Sequence, residues 1–543
     1  MSSPAKPTEI TEINLDILPM FRRTLLSCLA ALLGLALSAQ VYDDGLPRST
    51  PEAEGIPSEV IADFFRGIEE AGYEAHGLMI LRHDKVVAEH WWRPYGPQYP
   101  HAMYSATKTF TAAAVGFAVQ EGLLKVSDKV QSFFPDLMPE HPAPELSRLT
   151  VEHLLSMSAG HARTQYAGSG TDQIRSFLAT DFAYEPGTHF EYNVTCTHML
   201  SNIITRVTGL TLYEYIKPRL FDPLGIKDVI WEMDLDGRTV GNGGMHSKTS
   251  DLAKFGIFLK NKGKWQGRQL LAPEWIDAMT TAHIYQHPER SDEENDKDDT
   301  GKGYGYQTWL GRHNSFRAIG AQNQLIMVIP DYDLVVAVNS QIGDETGFNN
   351  LIYNMLDKMS PKKLKPNKNF DLQAAISGYE LKPPFPQPSL DPSERSRTLR
   401  YKMHQNTYGF TGIAFRFDSK GNMTLTLESP SAVHNIPFGL DDWQMGSTDR
   451  TLMFSRSVYP NTMNTTPVTT AGWCSWTAAD VLEAYYLSLF NGGASERFRF
   501  SFSPDRDELT VTIVAPEQRG RPGAAPAPSR DITLTASRIK STY

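Results

Sequence analysis

A proline-rich, charged segment at residues 361–396 divides this chain into two parts with different hydrophobic patterns. Before it, runs with helical spacing alternate with short runs rich in β-branched residues. After it, apolar residues recur at every second position, as in FRFDSKGNMTLTLE (415–428) and RFRFSFSPDRDELTVTIV (497–514). A period of two places alternate side chains on opposite faces of a strand. The pattern therefore predicts an α+β domain at 41–360, a linker at 361–396 and a mostly antiparallel β domain at 397–543. Within the β domain, the run WCSWTAADVLEAYYLSLF (473–490) is expected to form one helix.

An apolar run near the N terminus follows two basic residues. Arg22 and Arg23 precede TLLSCLAALLGLALSA (24–39), which is shorter than the roughly 20 residues that cross a bilayer. A basic start, a short apolar stretch and small residues at its end are typical of a secretory signal peptide. We predict that residues 1–40 are a leader, either a signal peptide or an N-terminal membrane anchor, and that the protein is secreted, periplasmic or in the cell envelope. A buried helix of the folded domain is the alternative.

Charge and cysteine content exclude several classes of protein. The chain carries 52 Lys and Arg against 62 Asp and Glu, a net charge of −10, which argues against a nucleic-acid-binding surface. Its three cysteines form no C-x-x-C pair, which excludes a disulfide framework and a cysteine-rich zinc site. Cys196 and Cys474 lie in different predicted domains, so we expect them to be buried free thiols.

The tetrad Ser105-Ala106-Thr107-Lys108 is the strongest chemical signal in the sequence. It follows a hairpin predicted at 76–89 and opens an Ala-rich helix predicted at 107–121. Residues three apart share a helix face, so the Lys108 amine can lie beside the Ser105 hydroxyl. Burial would lower the pKa of the amine, and a neutral amine can deprotonate serine. Taken alone, the tetrad also fits a helix-capping serine followed by an exposed lysine.

The tetrad and three further segments resemble the serine β-lactamase-like hydrolases, which include class C β-lactamases, family VIII esterases and 6-aminohexanoate-dimer hydrolase. The segments follow in the family's order: LTVEHLLSMSAG (149–160), EPGTHFEYN (185–193) and GGMHSKTSDLAKFG (243–256). The similarity covers roughly residues 50–345. It implies a β-lactamase/transpeptidase-like domain, in which an antiparallel sheet is flanked by helices and joined to a helical subdomain.

The resemblance also implies the role of each site residue. Ser105 becomes the acylated nucleophile, Lys108 its base, and Tyr192 a group that relays the proton. The backbone N–H of Ala321, next to Gly320 on the third-motif strand, becomes the second oxyanion donor beside that of Ser105. The resemblance implies no metal and no cofactor.

Two positions depart from the family pattern. Val194 replaces the asparagine that follows the tyrosine by two residues, so Asn193 is the nearest amide that could contact the lysine and the substrate. Ala318 replaces the lysine or histidine that opens the third motif, so the group that grips a β-lactam carboxylate is missing.

These features predict a serine hydrolase that cleaves an ester or amide bond in a small-molecule or short peptide-like substrate, and not an efficient β-lactamase. The departures at Val194 and Ala318 motivate one alternative, a catalytically silent protein of the same fold used for binding or assembly. A D-amino-acid peptidase is the second alternative.

Overall fold

A computed structural model of the protein describes residues 42–164, 171–386, 397–450, 468–490, 492–515 and 530–540 of the 543. The predicted leader at 1–40 lies outside these ranges. Residues 45–543 belong to one compact unit. In the part of the chain that the structure describes, no helix is both long and apolar enough to cross a bilayer.

The described α-helices all precede residue 377. In chain order they are α1 (Ser58–Glu70), α2 (Thr107–Gln120), α3 (Val151–Leu155), α4 (Thr171–Leu178), α5 (Val194–Thr208), α6 (Leu212–Ile216), α7 (Asp222–Leu224), α8 (Thr249–Lys260), α9 (Pro273–Met279), α10 (Asp292–Asn295), α11 (Glu345–Leu356) and α12 (Leu372–Ile376).

The strands fall into two large sheets and two small ones. Those before residue 345 are β1 (Ala75–Arg82), β2 (Lys85–Trp91), β3 (His101–Ala102), β4 (Ile230–Trp231), β5 (Met245–Ser247), β6 (Lys264–Trp265), β7 (Arg268–Gln269), β8 (Trp309–Leu310), β9 (Phe316–Gly320), β10 (Gln324–Ile329) and β11 (Leu334–Ser340). Those after it are β12 (Thr398–Met403), β13 (Gly412–Phe417), β14 (Met423–Glu428), β15 (Val433–Leu440), β16 (Gln444–Thr448), β17 (Val468–Ala478), β18 (Val481–Ser488), β19 (Ser495–Phe502), β20 (Glu508–Val514) and β21 (Ile532–Arg538).

The first large sheet is antiparallel and is covered by helices on both faces. Its strand order is β2-β1-β11-β10-β9-β8. Along β10, Leu325 and Met327 pack toward α1 and α11, whereas Ile326 and Val328 pack toward α2 and α8. Strands buried on both faces read as continuous apolar runs, which explains why QLIMVI and DLVVAV mark this sheet in the sequence. The hairpin predicted at 76–89 and the helix predicted at 107–121 are confirmed as β1–β2 and α2.

The second large sheet contains ten strands in the order β15-β14-β13-β12-β21-β20-β19-β18-β17-β16. A short parallel pairing of β15 with β17 closes the sheet on itself. Its interior is filled largely by aromatic and aliphatic side chains, among them Phe415, Phe498 and Phe500. The predicted fold class, an α+β domain followed by a mostly β domain, is therefore confirmed, and Cys196 and Cys474 are both buried and free as expected.

The helix predicted within residues 473–490 is wrong. This stretch forms β17 and β18, which pair antiparallel around Ala479 and Asp480. Trp476 and Tyr486 face the sheet interior, while Trp473 packs on the outer face against Phe385 and Trp443. Because both faces of this strand pair are covered by other side chains, polar residues do not alternate with apolar ones along it. Such a continuous apolar run has the same sequence pattern as a buried helix.

The described part of the range predicted as a linker packs against the first domain. Ile376 of α12 is buried, and α12 lies on α1. The Tyr379 carbonyl is 2.9 Å from Nε2 of His90, and the Leu381 N–H donates to the Arg93 carbonyl at 2.9 Å. The domain boundaries themselves stay predictions.

We expect Gly256→Ala to destabilise the protein, because α8 approaches the first sheet closely at this residue. A Cβ at Gly256 would lie 2.5 Å from Cγ1 of Val335 and 3.1 Å from Cγ2 of Ile326. Overpacking of this kind costs about 1–3 kcal/mol, partly offset by up to about 1 kcal/mol of helix propensity. Gly378→Ala is the matched control, since a Cβ there meets nothing within 4 Å. Thermal unfolding of both variants tests this expectation, and an unfolding midpoint for Gly256→Ala at or above that of the wild type contradicts it.

Candidate active site

Ser105 lies in a strained turn between β3 and α2. Residues Tyr104–Ala106 form a single 3-10 turn that leads into α2. Tyr104 has φ 44°, in the left-handed region that non-glycine residues rarely adopt. The turn is held from outside, because the Met103 N–H donates to the Met245 carbonyl of β5 at 2.8 Å. Strain that tertiary contacts maintain is a common feature of functional turns.

The Lys108 amine is buried beside the Ser105 hydroxyl. Lys108 is 1% exposed, and its Nζ lies 2.7 Å from Oγ of Ser105. Burial lowers the pKa of this amine to about 7, because the ammonium form loses its hydration inside the protein. A substantial fraction of the amine is therefore neutral at physiological pH and carries a lone pair that can accept the serine proton.

Tyr192 lies close to Lys108, as the sequence pattern predicts. Its ring centroid lies 5.2 Å from Nζ of Lys108. Trp309 packs against the ring at 5.4 Å and Tyr304 at 6.5 Å between centroids. Just before it, the Glu191 N–H donates to the Met157 carbonyl at 2.9 Å. The loop that carries Tyr192 is thus anchored just before this residue, and the ring is packed against two other aromatic rings.

Asn193 caps α5. Its side-chain oxygen accepts from the Thr195 N–H at 3.0 Å, and its amide donates to the Arg163 carbonyl at 3.4 Å. Asn193 is buried, and Val194 is the first residue of α5. The contact between Asn193 and the substrate stays a prediction, and the structure places its amide on a backbone carbonyl of a neighbouring loop.

The second partner of Lys108 is the backbone carbonyl of Asn242, which sequence reasoning missed. Nζ of Lys108 donates to this oxygen at 2.6 Å. The approach depends on Gly241, because a Cβ there would lie 2.6 Å from Cβ of Ser201 and 2.8 Å from the Thr197 carbonyl. The Gly241 carbonyl in turn accepts from Oγ1 of Thr111 at 2.7 Å. Every residue has a backbone carbonyl, so the only available signal was the glycine-rich stretch GNGG (241–244) beside a recognised landmark.

Gly320 brings the end of β9 against the turn that carries Ser105. A Cβ at Gly320 would lie 2.1 Å from the Met103 carbonyl and 3.1 Å from the backbone nitrogen of Ser105. Only glycine allows two backbones to approach so closely. Ala321 follows Gly320 directly in the chain. That its N–H and the N–H of Ser105 form a pair of oxyanion donors stays a prediction. Ala318 is buried on β9 and supplies no positive charge.

Among the residues that the structure describes, no three His, Cys, Asp or Glu side chains are grouped so that they could hold a metal ion.

Comparison with known proteins adds a family and several relatives. The family model described as Beta-lactamase matches residues 61–357, more than half of the chain. The 6-aminohexanoate-dimer hydrolase of Paenarthrobacter ureafaciens is 25% identical over 239 residues, which cover 40% of this chain and 60% of that protein. The lovastatin esterase of Penicillium rubens is 28% identical over 150 residues, which cover 23% of this chain and 37% of that protein. The chain thus spans less than two thirds of the length of either relative.

Solved structures to which the chain is similar include EstCE1, a hydrolase with promiscuous acyltransferase activity. It is 16% identical, with a TM-score of 0.46, and the match covers 55% of this chain and 99% of EstCE1. The octameric penicillin-binding protein homologue from Pyrococcus abyssi is 18% identical, with a TM-score of 0.43, and the match covers 88% of this chain and 99% of that one.

We expect the buried Lys108 to make stability depend on pH. The pKa of its amine is about 7 in the folded protein against 10.5 for an ordinary lysine, so between these values the unfolded chain binds more protons. Stability from this group therefore rises with pH above about 7. Relative to Lys108→Met, the wild type should gain stability between pH 7 and pH 9, measured as the midpoint of urea unfolding.

Lys420→Met is the control for that measurement, because Lys420 lies exposed in the turn between β13 and β14. It should follow the wild type at every pH. Parallel pH curves for wild type and Lys108→Met would show that the amine is not desolvated.

Proposed function

This chain belongs to the Beta-lactamase family, and we propose that it is a serine hydrolase that forms an acyl-enzyme at Ser105 and cleaves an ester or amide bond. One observation carries the proposal. A lysine amine whose pKa is lowered by burial lies 2.7 Å from a serine hydroxyl at the start of a helix. A base of this kind, within hydrogen-bond reach of the proton it abstracts, is what serine acylation requires.

The reaction begins with proton transfer from Oγ of Ser105 to the neutral Lys108 amine. Oγ then attacks the substrate carbonyl carbon, and the carbonyl oxygen becomes an oxyanion held by the N–H groups of Ser105 and Ala321. When the tetrahedral intermediate collapses, the bond to the leaving group breaks, and the leaving group takes a proton from Lys108 or from the Tyr192 hydroxyl. Water then attacks the acyl-enzyme by the same route, which releases the acid and restores Ser105.

The residues around the site favour uncharged esters and linear amides. Ala318 stands where a cation would bind a substrate carboxylate, and it is buried. One relative is named 6-aminohexanoate-dimer hydrolase and another lovastatin esterase. We propose a small ester or short peptide-like amide as the substrate, and, from the predicted leader, a secreted or envelope location.

Two alternatives make different predictions for turnover. A D-amino-acid peptidase should cleave peptides that end in D-alanyl-D-alanine faster than short-chain esters. A silent binding protein should turn over neither. The buried Lys108 amine argues against the silent protein. Burying a lysine costs free energy, and its Nζ is hydrogen-bonded to the Ser105 hydroxyl and to one backbone carbonyl. A protein that only binds a partner has no use for such an amine beside a serine.

Covalent labelling tests the nucleophile. We expect a fluorophosphonate probe to label the wild type at Ser105, because Lys108 activates this hydroxyl. Ser105→Ala should not be labelled, and Lys108→Ala should be labelled about 10²–10⁴-fold more slowly, the range expected when a general base is lost. Mass spectrometry of the labelled peptide gives the site.

Ser360→Ala is the matched control for labelling, because Ser360 also begins an S-x-x-K tetrad but opens no helix. It should be labelled like the wild type. A wild type that resists labelling, or equal labelling of Ser105→Ala, would rule out the proposed nucleophile.

The rate of acylation should rise with pH through about 7. Only the neutral amine accepts the serine proton, and its fraction increases as pH passes the pKa of about 7. Hydrolysis of p-nitrophenyl acetate, measured from pH 5 to pH 9 and corrected for the uncatalysed reaction, should therefore increase and then level off above about pH 8. A rate that stays constant or falls over this range would contradict Lys108 as the base.

A further inference from the structure

The connection between β18 and β19 lies against the segment that leads into Ser105. We refer to the described residues of this connection, 489, 490 and 492–494, as the docking turn. The Phe490 carbonyl accepts from the Ala102 N–H at 3.1 Å, three residues before the nucleophile. The second large sheet therefore contributes a hydrogen bond to β3, which no short-range pattern in the sequence indicates.

His246 of β5 binds the same carbonyl. Its Nδ1 lies 3.1 Å from the Phe490 oxygen, and because a carbonyl only accepts, Nδ1 is the donor. Its Nε2 lies 2.8 Å from Oε1 of Glu232. The Phe490 ring stacks on the imidazole with 3.7 Å between centroids and 5° between planes. His246 and Phe490 are both buried, so these interactions are shielded from water and correspondingly strong.

Gly492 lets the docking turn press against Tyr104, the residue before the nucleophile, and Gly493 lets it press against Gln341. Gly492 has φ 58° and Gly493 has φ 82°, which favour glycine. A Cβ at Gly492 would lie 2.7 Å from the hydroxyl of Tyr104, and one at Gly493 would lie 2.0 Å from Oε1 of Gln341. The turn thus packs directly on Tyr104, whose own φ of 44° is strained.

The docking turn is hydrogen-bonded at both ends to the sheet from which it projects. The Ser488 N–H donates to the Ala494 carbonyl at 2.8 Å, and the Leu489 N–H donates to the Thr469 carbonyl of β17 at 3.0 Å. Leu489 is buried. Because both ends of the turn are bonded to strands of a ten-stranded sheet, the turn can hold a strained neighbour in place.

We propose that the C-terminal sheet positions the nucleophile, with Phe490 and His246 as positioning residues that act through Ala102 and Tyr104. The inference rests on the proposed role of Ser105. A strained turn costs about 1–3 kcal/mol and persists only where its surroundings impose it. Here the docking turn, β5 and Gly320 of β9 surround the segment 101–105. A displacement of Ser105 by about 1 Å would lower the rate up to about 10²-fold. The distance between Ser105 and Lys108 must therefore be kept, and the surrounding elements keep it by holding the segment 101–105 in place.

Two substitutions of His246 separate its two hydrogen bonds. The amide nitrogen of asparagine lies near the place of Nδ1, so His246→Asn can keep the bond to Phe490. The amide nitrogen of glutamine lies near the place of Nε2, so His246→Gln can keep the bond to Glu232 and loses the one to Phe490. We expect kcat for ester hydrolysis to fall about tenfold in His246→Gln, the effect of about one hydrogen bond, with KM nearly unchanged. His246→Asn should stay within about threefold of the wild type.

Two phenylalanine substitutions separate positioning from stability. Phe490→Leu removes the ring that stacks on His246, whereas Phe502→Leu removes a buried ring from the interior of the same sheet. Phe490→Leu should lower kcat and the rate of fluorophosphonate labelling about tenfold. Phe502→Leu should lower the unfolding temperature at least as much as Phe490→Leu does, and it should leave both rates unchanged.

Hydrogen–deuterium exchange at the Ala102 amide reports on docking without reference to activity. Exchange should be faster in His246→Gln and Phe490→Leu and unchanged in the two control variants. The inference would be overturned if His246→Gln and Phe490→Leu were labelled, and exchanged at Ala102, at the same rates as the wild type. Labelling of the wild type at Ser105 would in that case still uphold the proposed function. Failure of the wild type to label at Ser105 would overturn the proposed function and the inference together.

Discussion

The candidate site depends on one interaction, the contact of a desolvated lysine amine with a serine hydroxyl and a backbone carbonyl. Lysine is almost never fully buried without a role, because its ammonium form loses hydration that few partners replace. Here burial lowers the pKa of Lys108 to about 7, and the two bonding partners of its Nζ are the Ser105 hydroxyl and the Asn242 carbonyl. The packing that excludes water from this amine also makes it a base.

The surrounding elements bring backbone close to Lys108 and to the turn that carries Ser105. Gly241 lets the segment before β5 pass between α2 and α5, and Gly320 lets the end of β9 reach the turn of Ser105. Helix α2 is buried along nearly its whole length, which fixes Lys108 next to the turn that carries Ser105. The docking turn adds a contact from the second sheet. The candidate site is therefore assembled by backbones in close contact around the side chains of Ser105, Lys108 and Tyr192.

Much of the fold was predictable, because local periodicity reflects burial. The runs LIMVI (325–329) of β10 and LVVAV (334–338) of β11 are apolar at every position since both faces of the first sheet are covered. The alternating runs at 412–428 and 495–514 form strands with one face in the second core. The same reasoning failed at 473–490, where a strand pair covered on both faces resembles a helix. In the site, Ser105, Lys108 and Tyr192 lie close together, as the sequence pattern predicts. The sequence did not predict that the Asn242 carbonyl would bind Lys108 in a chain that lacks the family's asparagine.

The sequence by itself determined the spacing of Ser105 and Lys108, the order of the landmarks that identify the family, and the alternation that marks the second sheet. These are properties of neighbouring residues, and a helix or strand converts them directly into a shared face. Only the tertiary structure decided that the Asn242 carbonyl binds Lys108 across 134 positions and that the Phe490 carbonyl meets His246 across 244. A backbone carbonyl is chemically the same at every residue, so its role depends on where the fold places it, and no side-chain pattern records that place.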